Sequence, residues 1–166
     1  MQGKRLSEIG ADIIRIYGKL DADSFLVGNA LMYEVEYLID AGQFEEALEI
    51  CQGVNVHKYP IIHGNLFNLY QLIIYLTYLP DLKKAKAIYE EKVFQDFLKM
   101  KLPSIIAVLV AYEFFVNHAH EKAEKLMAQA KIDIANIPNK GERLEMMDYL
   151  VHLEEKMALA ESLKHK

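Results

Sequence analysis

The chain has 166 residues, 52 % of them hydrophobic and 26 % charged, and a net charge of −5. That length suits one domain able to bury about 70 % of the surface its unfolded form exposes, and the composition excludes a disordered chain. The acidic excess excludes a general nucleic-acid surface, which needs clustered Lys and Arg to displace the counterions of phosphates.

The first predicted element is a helix over 4–20. Leu6, Ile9, Ile13, Ile16 and Leu20 recur in steps of three and four, with Lys4, Glu8, Asp12 and Lys19 on the opposite face. Lys4 and Arg5 lead into no apolar stretch, because Glu8 and Asp12 break it, so this end does not read as a secretory signal. Next come Leu31, Val35 and Leu38, a break at Ala41-Gly42-Gln43, and a second stripe of Phe44, Ala47, Leu48 and Cys51. Gly42 suits the left-handed end of a helix, and Gly53 and Pro60 bracket a loop.

From Tyr59 to Pro80 there are 22 residues without Asp, Glu, Lys or Arg. A membrane span needs about 20 apolar residues, but His63, Asn65, Asn68, Gln71 and Thr77 interrupt this run. A helix buried in the middle of a layered protein is the expectation, with Leu69, Leu72, Ile73 and Leu76 on its stripe. Asp81, after Pro80, suits the cap of a further helix carrying Leu82, Ala85, Tyr89 and Val93. Pro103 suits the first turn of the next, with Ala107, Val110, Ala111 and Phe114. After a break at Asn117-His118-Ala119 come Ala123, Leu126, Met127 and Ala130. Asn139 and Glu142 resemble a capping box opening a last helix over 140–163. Its stripe is Met146, Leu150, Leu153, Met157 and Ala160.

Three of these stretches align. Ala41 to Ile50, Leu79 to Ile88 and Asn117 to Leu126 each have a break, two charged residues and an alanine. Ala47, Ala85 and Ala123 stand 38 residues apart, twice over. A small residue recurring at one register lets two antiparallel helices approach to about 8–10 Å. The unit is helix, tight turn, helix.

This pattern resembles the tetratricopeptide repeat family, most closely in Gly42-Gln43-Phe44-Glu45-Glu46-Ala47. The family unit is about 34 residues, shorter than the interval here. The first-helix positions where the family places small residues hold Val35, Ile73 and Ala111. The resemblance implies an all-α, right-handed α-α superhelix of about three antiparallel pairs in a single domain. The units are approximately 28–65, 66–103 and 104–138, with flanking helices over 4–20 and 140–163 that cap the array. A dimer seam is the rival reading of the last helix, so the chain is expected to be a monomer or a homodimer.

In such arrays the first helix of each pair lines the concave binding side. Carried over by register, the first unit offers Asn29, Met32, Tyr33 and Glu36. The second offers Phe67, Tyr70, Gln71, Ile74 and Tyr78, and the third Val108, Tyr112 and Phe115. Tyrosine supplies contact area with few rotamers to freeze; the same stripe could equally be core. With no Lys or Arg on these faces, the groove should prefer apolar or mildly basic ligands, Glu36 being the one evident charge handle.

Catalytic and metal patterns do not emerge. His118 and His120 stand two apart, not the three or four of a helical metal pair. Cys51, the one cysteine, lies on a core stripe beside Glu45, Glu46 and Glu49, a setting that does not activate a thiol. Glu45-Glu46, Glu90-Glu91 and Glu154-Glu155 are adjacent on helices and so face different directions. The expectation is a protein that is not an enzyme, holds no cofactor or metal, resides in the cytoplasm, and contacts a protein or peptide rather than nucleic acid or membrane. A ligand-sensing carboxy-terminal module of a larger bacterial regulator and a structural homo-oligomerisation domain are the alternatives.

Overall fold

The computed structural model describes residues 25–59 and 61–164. The predicted helix over 4–20 and the side chain of His63 lie outside the described residues. Those described form eight α-helices, with no strand among them.

Helices α1, Phe25–Asp40, and α2, Phe44–Gly53, pack together across the turn at Gly42. Gly42 has φ +74°, a left-handed value that a side chain would strain. A 3₁₀ turn, Val56–Lys58, leads into α3, Ile61–Ile73, which continues as a π-helical turn, Ile74–Tyr78. Gly64 sits so close under the Val56 carbonyl that a Cβ would collide with it. Then come α4, Leu82–Tyr89, and the short α5, Lys92–Leu98. The remaining three are α6, Pro103–Phe115, α7, His120–Ala135, and α8, Lys140–Lys164.

The 38-residue register has a structural counterpart. Ala47, Ala85 and Ala123 are all fully buried, at 0 % exposure, each in the first turn of the second helix of its unit. Each amide donates to the carbonyl of the residue four before it: Gln43 at 3.1 Å, Asp81 at 3.0 Å and Ala119 at 2.9 Å. The predicted caps also form. Asp81 accepts from the Lys84 amide at 3.1 Å, Pro103 opens α6, and Asn139 accepts from the Glu142 amide at 2.9 Å.

The second unit departs from expectation. Periodicity carries its second helix from Leu82 to Val93, but the helix stops at Tyr89, and Val93 falls on α5. Phe94 and Phe97, both buried, draw α5 inward against α3. The open backbone is met by side chains: Gln95 Nε2 donates to the Tyr89 carbonyl at 2.5 Å, and Asn65 Nδ2 to the Val93 carbonyl at 3.2 Å. Buried Asn68 in turn donates to Asn65 Oδ1 at 3.0 Å. Asn65, supported by Asn68, therefore fastens α5 to α3, which is why these two amides of the uncharged run can be buried.

α3 is the middle layer, touching α1, α2, α4, α5 and α6. It is buried nearly all round, and α6 is alike. No described helix is long and apolar enough to cross a membrane. α8 covers α6 and α7 through Leu150 and Leu153, both buried as expected. Its exposed residues mix Glu154, Glu155 and Lys156 with Leu144, Met147 and Val151.

Candidate binding groove

α1, the outward side of α3 and the first turns of α8 enclose a groove of about 560 Å³. Met32, Tyr33, Glu36 and Asp40 form the α1 wall. Leu66, Leu69, Tyr70 and Ile73 form the floor, with Tyr78 at the end of the π-helical turn. Glu142, Glu145, Met146, Asp148 and Tyr149 form the α8 wall, four of them in steps of three and four along one face of the helix.

Side-chain contacts brace the walls. The Tyr70 hydroxyl donates to Glu36 Oε1, joining the floor to α1. The hydroxyls of Thr77 and Tyr149 lie 3.1 Å apart, joining the π-helical turn to α8. Tyr78 stacks on Phe44 with ring centres 4.4 Å apart and meets His152 edge-on at 6.4 Å. The π-helical turn closes with the Leu79 amide on the Ile74 carbonyl at 2.8 Å. Single turns of this kind recur at functional sites.

The groove is electrostatically one-sided. Among the described residues its lining carries Glu36, Asp40, Glu142, Glu145 and Asp148 and no Lys or Arg. Burial raises the Glu36 carboxyl above the usual range against the opposing effect of the Tyr70 hydrogen bond; Glu145, Asp40 and Glu142 raise it further. Asp40 is raised by burial and by Asp148, and Glu145 by burial, Asp40 and Glu142. The two walls thus repel each other across the opening.

Of the residues expected here by register, Met32, Tyr33, Glu36, Tyr70 and Tyr78 come together in the groove. Phe67, Gln71, Ile74, Val108 and Tyr112 do not: they are buried in the core, because α3 and α6 are flanked on their inner faces as well. Gln71 turns back to the Phe67 carbonyl at 3.4 Å, and Tyr112 stacks on Tyr89 at 3.6 Å. Asn29 and Phe115 are half-buried outside the groove lining, Phe115 edge-on to Phe114. Glu36 is not the one charge handle, since α8 supplies three more carboxylates. Register within the repeat could not show them, because α8 lies outside the repeat; the spacing of Glu142, Glu145 and Tyr149 is the signal that marks one face.

Elsewhere, Cys51 is buried and its thiol is pushed up to about 12 by that burial. His120 pairs with Glu161, tying α7 to the end of α8. Among the described residues no three His, Cys, Asp or Glu side chains are placed to hold one metal ion. No protein-family model, curated protein or solved structure matches the chain.

Proposed function

We propose that this chain is a non-catalytic binding module, a tetratricopeptide-like superhelix that takes a peptide or a helix of another protein into the groove between α1, α3 and α8. The observation that carries the reading is the convergence of Met32, Tyr33, Tyr70 and Tyr78 on one opening. Tyr33 is 57 % exposed. A large ring left in water at the mouth of a groove has the character of an interface anchor. The reducing setting suggested by a lone buried thiol is compatible with a cytoplasmic module.

Selection from a random peptide library, followed by mapping amide shifts on the labelled protein, tests this. Bound peptides should perturb Met32, Tyr33, Tyr70 and Met146. Tyr33→Ala should weaken binding while changing stability by no more than about 0.5 kcal/mol. Binders that leave those residues unperturbed overturn the reading. A homo-oligomerisation role is the second reading, favoured by the exposed Leu144, Met147 and Val151 on the outer face of α8.

A further inference from the structure

We infer that the partner of this groove is a cationic amphipathic segment of another protein, its apolar face on the Leu66 and Leu69 floor and on Met32 and Met146 beside it, and its Lys or Arg side chains between the acidic walls. The inference rests on the binding role proposed above and names the chemistry of the ligand.

Charge complementarity carries it. Glu36 and Asp40 stand on one wall and Glu142, Glu145 and Asp148 on the other, with no Lys or Arg among the described lining residues. The carboxylates act on one another across the gap: Glu36 feels Glu145 and Glu142, and Asp40 feels Asp148. Mutual repulsion of this kind lowers the stability of the folded chain, and charges placed between the walls relieve it. They are spread along the opening rather than gathered: no described trio of such side chains could hold a single metal ion. Spread negative charge suits several cations on one scaffold, as on the polar face of a basic helix. The exposed ring of Tyr33 adds a face on which an ammonium or guanidinium can rest. The floor is apolar, so a small free polyamine would leave it uncovered, whereas an amphipathic segment covers both.

The test uses the full chain and three fluorescein-labelled helical peptides of one amphipathic design. Leu fills the apolar face of each, and Lys, Gln or Glu fills the polar face. Anisotropy should show the Lys peptide binding at least about tenfold more tightly than the Gln peptide, with the gap narrowing as salt rises. The Glu peptide should not bind. The double reversal Glu142→Lys/Glu145→Lys should cost the Lys peptide about tenfold or more. The remote reversal Glu45→Lys/Glu49→Lys on α2 should change it by less than about twofold.

Equal losses from the two reversals overturn the inference, because the attraction is then to net charge alone. If the Gln peptide binds the groove as tightly and Tyr33→Ala weakens it, the binding role stands and the cationic partner falls. If peptides bind but neither Tyr33→Ala nor the groove reversal matters, the binding role itself falls. Nuclear Overhauser contacts from residues 1–24 to Tyr33 or Met146, or a dimer dispersed by the groove reversal, overturn it by showing the groove filled from within or by a second copy.

Discussion

At the scale of single residues, the alanines of the repeat are where packing leaves least freedom. Ala123 is fully buried and Ala128 exposed on the same helix. Ala123→Leu forces α7 from α6 and should lower stability by about 1–3 kcal/mol or more, whereas Ala128→Leu should stay within about 0.5 kcal/mol. Urea midpoints of the two variants check this. Glu36 makes the opposite case. Its folded-state carboxyl is raised, so the charged form disfavours folding, fully so above the folded value and not at all below the unfolded value of about 4.3. Glu36→Gln should therefore be more stable than the parent at pH 7, and the advantage should close as pH falls towards about 4. Denaturant melts at the two pH values decide it. Glu113 runs the other way: burial opposes its charge, but Lys122 at 2.6 Å and Asn117 at 3.0 Å outweigh that and hold it low. Its contribution is present at neutral pH and is lost as pH falls through the folded value, below the usual carboxylate range.

At the scale of elements, α5 depends on a side chain far from it in sequence. Asn65, on α3, holds the Val93 carbonyl and also serves Asn68. Asn65→Ala leaves buried polar groups unmatched and should cost about 1–3 kcal/mol. Native-state hydrogen exchange should show the amides of Lys92–Leu98 opening faster than those of α7. Uniform acceleration across the chain would contradict this assignment. Sequence periodicity reads α4 and α5 as one helix because Leu82, Ala85, Tyr89 and Val93 keep helical spacing. It cannot weigh the pull of Phe94 and Phe97 towards the core, which is a property of where α3 lies.

At the scale of the whole molecule, α8 is both a cover and a groove wall. It buries Tyr149, Leu150 and Leu153, each a contribution of about 1.5–3 kcal/mol in a fold whose net stability is on the order of 5–15 kcal/mol. A chain ending at Pro138 should lose its cooperative thermal transition in circular dichroism, along with peptide binding. A folded monomer replacing a dimer would instead make α8 an oligomer seam.

The amino-acid order by itself determined what is local and periodic. It set the helical character, the turn at Gly42, the caps at Asp81 and Asn139, and the alanine register. The turn and the caps depend on neighbours within about one turn of chain; they are found in the folded protein, and the three alanines are buried there. The split between core and groove was decided only in three dimensions. Tyr70 and Tyr112 look alike on paper, yet Tyr70 reaches Glu36 at the groove floor while Tyr112 is sealed against Tyr89. A helical stripe shows which residues share a face; it does not show what comes to lie against that face. On the outward side of α3 a groove is left open, and its far wall is α8, with its own three carboxylates.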